Sequence, residues 1–557
     1  MKRYLKYFAL MCIAVSCTKT QNGGTDDPIP IDPETTIYGR VTDNAGSPVG
    51  FAVVSDGVTC VRTGSDGVYQ IASAKKNNMV YICPPPYYTV SSNFSQPQFY
   101  QLLKEGPGVA ERHDFVLISD PEQDNHTRFV FGDIHVYNDN SAGYFSNLFV
   151  SKVNAILKPG IHKIPVGLTL GDMSWDLHWY KSNYRNTKYI ALANALNLPV
   201  FNTVGNHDHD MKFEGKWINS KQELEDTGED WTVEIPYREK QGPTCYSWNI
   251  GKIHYISMDD VLTLDDGTGA DDGRGCTLGF TEPDLQWLKE DLKFVSPTKP
   301  IVLSVHIPFS NIEGTKRSSY EKLTRFAGLN SEHMLEPFNG YNLRLVLSAH
   351  IHNLYNNKVT IGNVSFPEFN CGAVCGHFWS TSPKGLSICS DGVPNGFRIM
   401  EWSGENLKSN IYQPLEKQGF YPFRSYDRNC IEITGEKSQA EAMASGFYTK
   451  STDNYVYISI WDWKEGWSVS VTENGKNLPV ENLGRIYDPL ALLMRSNGMS
   501  SVSKAGFDMR RVKASSANST LVITVKDEYG HSATETMKRP KEFSIATYKS
   551  EDYSKNI

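Results

Sequence analysis

The rhythm of apolar and polar positions changes twice along the 557-residue chain, dividing its folded part into three zones. Between residues 35 and 119, short strand-like runs alternate with turn signals: Thr36-Ile-Tyr-Gly-Arg-Val-Thr42, Ala52-Val-Val-Ser55, Val68-Tyr-Gln-Ile71 and Met79-Val-Tyr-Ile82. Asn44-Ala-Gly-Ser-Pro48 and Ser65-Asp-Gly67 fix turns or tolerate positive φ, which predicts a small antiparallel β-sandwich. From 120 to 385, apolar runs alternate with segments of helical period, as stacked βαβ units do. Helices are predicted over 144–157, over 186–196, and from Thr281 as N-cap through Leu292. A polar Glu/Lys/Trp-rich stretch between Asp210 and Gly242 lacks clean periodicity and reads as a surface loop or lid. From 386 to 557 strand-like runs return, among them Tyr455–Ile460 and Ser519–Val525, with Asn474-Gly475 as a hairpin turn. The fold class is multidomain: a central α/β domain between an N-terminal β-sandwich and a C-terminal β-rich domain.

The first residues form a separate signal. Lys2, Arg3 and Lys6 precede an apolar run from Tyr7 to Val15 that is too short to span a bilayer. Residues 1–16 therefore read as an export signal. The end of that signal, Ala14-Val-Ser-Cys17, resembles the lipobox of bacterial lipoproteins, in which the cysteine becomes the lipidated N-terminus. An ordinary secretory signal with an incidental cysteine is the plainer alternative. Residues 17–34 are polar and rich in Gly and Pro, a solvated tether. No later stretch is apolar for about 18 residues. The expectation is an exported protein, lipid-anchored to a bacterial cell envelope through Cys17 and touching the membrane only there.

Charge narrows the partners. With 55 basic against 63 acidic side chains the formal charge is −8, so no dedicated nucleic-acid binding is expected. Eight cysteines follow the tether. Cys371 and Cys375 are too widely spaced for a Cys-x-x-Cys zinc half-site and read as buried thiols or one local bridge.

The chemistry concentrates in five short motifs, each placed where a predicted strand ends. Phe129-Val-Phe131 leads into Gly132-Asp133-Ile134-His135, Val166–Leu170 into Gly171-Asp172, and Pro199–Val204 into Gly205-Asn206-His207-Asp208. Ile301–Val305 leads into His306, and Leu343–Ser348 into Ala349-His350-Ile351-His352. Open α/β sheets bind ligands at the carboxyl ends of their strands. Two Asp, one Asn and four His thus meet at one rim, with His207 beside them. Asp133/His135 and His350/His352 are each two apart, so extended backbone would project both members of a pair to one side. Mixed imidazole and carboxylate donors suit two ions of Zn, Fe or Mn better than Ca or Mg. A carboxylate such as Asp172 can bridge two ions about 3.5–4 Å apart, a device for in-line displacement at phosphorus.

The order D-x-H, G-D, G-N-H-D, H, H-x-H resembles the calcineurin-like metallophosphoesterase superfamily, over roughly residues 128–353. The stretch from Gly242 to Met258 and the flanking modules resemble its secreted bacterial branch, and residues 35–119 resemble a carboxypeptidase-regulatory-like, transthyretin-type module. The resemblance implies an αββα sandwich and hydrolysis of phosphomonoesters or phosphodiesters by metal-bound hydroxide. It implies that Asp133, His135, Asp172 and His352 hold one metal, and that Asp172, Asn206, His306 and His350 hold the other. His207 would be the general acid or a stabiliser of the pentacoordinate transition state. The substrate would be a small phosphoester or an envelope phospho-compound.

Two residues depart from the family pattern. Ala349 stands where a glycine is usual, and Trp175 where a carboxylate often orients the catalytic histidine. Asp176 and Asp208 are the candidates for that orienting role. His209, Asp210 and His377 are candidates for lining the substrate cleft; His178, Asp259, Asp260, Trp379 and Asp391 are weaker. The segment Cys375-Gly-His-Phe-Trp379 would suit a cleft lip or ordinary core packing. A rival reading is a surface glycan- or protein-binding lipoprotein with an inactive scaffold, and a nuclease is a third.

Overall fold

The computed structural model describes residues 28–157, 160–180, 182–210, 231–265, 274–314, 316 and 331–550. The export signal, Cys17 and most of the tether lie outside the described residues, as do 211–230 of the polar stretch. Among the described residues no helix is long and apolar enough to cross a membrane.

The central domain is built on two sheets. The first runs in the order Val200–Thr203, Pro165–Leu170, Asn125–Phe131, Gly396–Ser403, Asn406–Pro414. Its first three strands are parallel, and the last two join antiparallel. Those last two lie beyond residue 385, where the central zone was expected to end, so the sheet is completed by chain that sequence rhythm assigns to the following domain. The second sheet runs Tyr246–Ile250, Ile253–Ser257, Ile301–Ser304, Leu343–Ser348, Val364–Cys371, Leu354–Ile361.

Alternation along the strands sets the layers. Val130, Leu168 and Leu170 of the first sheet share one buried cluster with Tyr255, Ile256 and Leu303 of the second. Phe129 and Phe131 point the other way, onto Phe145, Phe149 and Ala193 of flanking helices. Strands covered on both faces read as continuous apolar runs, as these do. The helix predicted over 144–157 starts earlier, at Asp139, because Asn138 caps it and Ser141 completes a capping box; it continues through a π-helical turn, Phe145–Val150, to Ile156. The helix predicted over 186–196 forms as Asn186–Ala193, three residues shorter. Helix Glu282–Leu292 forms as predicted, and its N-cap Thr281 accepts from the Asp284 amide. Within the stretch read as a loop or lid, Trp231–Gln241 is a helix despite Pro236, and buried Val233 and Tyr237 anchor it.

The N-terminal module has a five-stranded and a four-stranded sheet. It is not purely antiparallel: Ile37–Asp43 pairs parallel with Phe115–Ser119, a contact about seventy residues apart that local pattern does not reveal. The C-terminal domain adds two four-stranded sheets. Its hairpin turn is Asn474-Gly475, both at positive φ. Cys371 and Cys375 are buried free thiols, so the local bridge does not form.

Candidate metal centre

The five motifs meet at one rim, three from the first sheet and two from the second. Extended backbone is not what aims them. Asp133, His135, Asp172, His350 and His352 all have φ between 43° and 70°, a left-handed conformation that costs non-glycine residues about 1–3 kcal/mol each. At three of the five motifs the strand therefore ends in a sharp turn that swings its donors into the rim. The turns are pinned to one another: the amides of Ile134 and His135 donate to the Asp172 carbonyl (3.0 and 2.8 Å), and the Cys375 amide to the Asp133 carbonyl (3.1 Å). The His350 amide donates to Asp133 Oδ1 at 3.0 Å.

Glycine makes the approach of two motifs feasible. A Cβ on Gly205 would stand 2.3 Å from the Asp172 amide nitrogen and 2.4 Å from its Oδ1, so no side chain fits there. Ala349 differs: it is fully buried, and its φ is not positive, so its methyl group is accommodated where glycine is usual.

The donor atoms converge in two sets. Asp133, His135 and Asp172 place ligand atoms within 4.8 Å of one another, and so do Asp172, His306 and His350; Asp172 is common to both. His352 Nε2 lies 3.2 Å from His135 Nε2, and Asn206 Oδ1 lies 2.9 Å from both His306 Nε2 and His350 Nδ1. Second partners fix the rings. His306 Nδ1 donates to the Leu170 carbonyl (2.7 Å) and His352 Nδ1 to the Gly376 carbonyl (2.6 Å), leaving both Nε2 lone pairs aimed into the rim. Acceptors therefore face acceptors, and buried Asp133 Oδ2 has no hydrogen-bond partner. A cation satisfies such a set; otherwise protons must. Burial pushes the Asp133 carboxyl up to about 8, with Asp172 adding to it. His306 rises to about 10: burial opposes its charge, but the Asp172 carboxylate outweighs it. The donor set fits two metal cations.

His207 stands beside these donors with a quarter of its side chain exposed (24%). Its amide donates to Asp172 Oδ1 at 2.8 Å, and its Nδ1 lies 2.8 Å from Asp176 Oδ1. Asp208 faces elsewhere: its carboxylate accepts from the amides of Met173, Ser174 and Gly205 at 3.0–3.2 Å. Of the two orienting candidates, only Asp176 bonds the imidazole.

The three candidates for lining the cleft are buried. His209 is 0% exposed, its Nδ1 on the Gly205 carbonyl and its Nε2 2.8 Å from Asp259 Oδ2. Asp210, 3% exposed, accepts from the Tyr180 hydroxyl. His377, 2% exposed, sits between Ser390 Oγ and Ser500 Oγ. Each is close to the site in sequence but turned into the packing beneath it. Asp391 accepts from the Leu354 and Val393 amides. Asp260, ranked weak from sequence, has a clear place: Oδ1 accepts from the His306 and Ile307 amides at 3.0 and 3.1 Å. Its position three residues past the end of strand Ile253–Ser257, level with the motifs, is the sequence signal for it.

The profile for calcineurin-like phosphoesterase matches residues 127–354, and profiles for the N-terminal and C-terminal parts of calcineurin-like phosphoesterase match 35–120 and 368–531. The chain belongs to the calcineurin-like phosphoesterase family. Enzymes of this family use a dimetal centre, and the His and Asp groups gathered here are candidates to hold one. Two solved structures are similar over about half of each chain. One is a purple acid phosphatase from yellow lupin (Lupinus luteus) seeds, 14% identical, covering 53% of this chain and 52% of that one, with a TM-score of 0.32. The other is the NAD nucleotidase of Haemophilus influenzae, 15% identical, covering 52% and 56%, with a TM-score of 0.30. A comparison with curated proteins finds no match.

Proposed function

We propose that this chain hydrolyses phosphoesters in the cell envelope, held there by a lipid on Cys17. One observation carries the catalytic part: seven donors on five strand ends crowd acceptor against acceptor around Asp172, with His207 beside them. Asp133, His135, Asp172 and His352 would hold one cation, and Asp172, Asn206, His306 and His350 the other; Zn, Mn or Fe suits this set. When bound, the pair supplies Lewis acidity toward the phosphoryl oxygens and a water acidic enough to act as nucleophile. The rest falls to the chain's own groups. Asp176 holds the His207 Nδ1 proton and thereby turns Nε2 toward the rim, where it can give a proton to the departing oxygen. Asp260 fixes the backbone at His306. The Leu170 and Gly376 carbonyls fix the tautomers of two ligands.

The test is metal content together with turnover of a panel of phosphomonoesters and phosphodiesters, for wild type, Asp172→Asn and His207→Ala. Asp172→Asn should lose metal and activity; His207→Ala should keep metal and lose activity. For localisation, the support is the charged apolar leader ending in Ala14-Val-Ser-Cys17. Radiolabelled palmitate should enter wild type and not Cys17→Ser; no label in wild type removes the anchor from the proposal.

A further inference from the structure

Beside His207 stands a wall of aromatic rings that no metal-holding role uses. The Trp175 ring lies 5.4 Å from both His207 and His135, centroid to centroid. Phe378 stacks on Trp175 at 4.9 Å with 27° between planes, and approaches His352 at 4.4 Å. Tyr137 meets the edge of Trp175 at 5.0 Å, and its hydroxyl donates to the Phe378 carbonyl at 2.9 Å. All three rings are half-buried, so each still shows part of its surface. Trp175 Nε1 is buried, which leaves ring carbon as the visible part.

The backbone holds this wall against its own preference. Phe378 and Trp379 have φ of 52° and 59°, two successive bulky residues in the left-handed region, a strain that persists only where the surroundings over-determine it. The neighbours do so. His377 is gripped by Ser390 and by Ser500 of the C-terminal domain (3.1 and 2.6 Å), and Trp379 Nε1 donates to the Ile134 carbonyl at 2.9 Å. The C-terminal domain thus braces the loop that presses Phe378 toward the metal ligands. Trp175 stands in the same wall at the position where a carboxylate is often found, so the departure from the family pattern and the strained loop meet at one place.

Given the proposed dimetal hydrolysis, on which this inference rests, the group attached to the departing oxygen must lie next to His207. Because the Trp175 and His207 rings are in contact at 5.4 Å, the wall borders the position of the departing oxygen, and a ring joined directly to that oxygen reaches it. We propose that Trp175 and Phe378 form a leaving-group subsite that selects phosphoesters of aryl alcohols. A planar apolar leaving group gains burial and ring contact there, whereas a polyhydroxylated one gains no hydrogen bond from the faces of Trp175 and Phe378.

Binding tests this without turnover. Titration calorimetry on Mn-loaded protein should find phenylphosphonate bound about tenfold more tightly than methylphosphonate, the scale of one well-formed ring contact. Trp175→Leu and Phe378→Leu should each cut that ratio to about threefold or less, while Trp175→Phe preserves it; metal content and melting temperature confirm that the variants fold. Equal affinities in wild type, or a preference that survives both leucine variants, would overturn the subsite. So would a Trp175→Leu defect confined to nucleoside 5′-monophosphates. An aryl preference without hydrolysis of any phosphoester would sink the hydrolase reading and leave the subsite standing.

Discussion

His207 Nδ1 and Asp176 Oδ1 are 2.8 Å apart, and Asp176 lies four residues after Asp172, the carboxylate common to both donor sets. Asp208, the immediate neighbour of His207 in sequence, instead ties together three backbone amides of the Gly171–Ser174 and Gly205 turns. The two carboxylates therefore separate by measurement. Asp176→Asn should lower turnover by about a hundredfold or more, the usual size of a positioned acid–base contribution, with metal content kept. Asp208→Asn places an amide NH₂ against backbone donors, so it should lower the melting temperature and metal content together. The reverse pattern would exchange their roles.

Close packing at the turns makes a second contrast. Gly205→Ala forces a methyl group onto the Asp172 backbone and carboxylate, so it should abolish stable metal binding and cost at least about 1–3 kcal/mol in stability. Ala349→Gly removes one buried methyl group that is under no φ strain, and should cost about 1 kcal/mol with metal retained. Thermal melts with elemental analysis of both variants check the pair.

Glu234 supplies a pH prediction away from the metals. Burial, then the nearby Asp259 carboxylate, pushes its carboxyl up to about 8, against about 4.3 in an unfolded chain. The folded protein therefore keeps a proton there that the unfolded chain releases. Stability from this group is complete below about pH 4.3 and is lost as pH rises through about 8. Glu234→Gln should retain the hydrogen bond from the Thr244 hydroxyl and flatten the fall in melting temperature between pH 5 and 8. Parallel slopes for wild type and variant would show that Glu234 ionises normally.

The sequence made the site's membership legible because each donor follows an apolar run, and an apolar run buried on both faces is an unambiguous strand. It could not show how the donors converge. Extended backbone was the expectation for Asp133/His135 and His350/His352, yet left-handed turns do the work, held by contacts between motifs from under forty to more than two hundred residues apart. Distance in the chain also hid the choice between Asp176 and Asp208, the two antiparallel strands past residue 385, and the parallel pairing in the N-terminal module. His209, Asp210 and His377 were drawn toward the cleft by proximity in sequence, but the turn after Asp208 and the clamp of Ser390 and Ser500 direct them inward. The helix Trp231–Gln241 has weak local propensity and a proline, so burial of Val233 and Tyr237 decides it.

The central claim is that Asp172 is shared by two cations. Elemental analysis of metal-loaded protein should find two transition-metal ions per chain in wild type and one or none in Asp172→Asn, with phosphoester turnover falling in step. One ion in wild type, or two retained in Asp172→Asn with turnover unchanged, would contradict it.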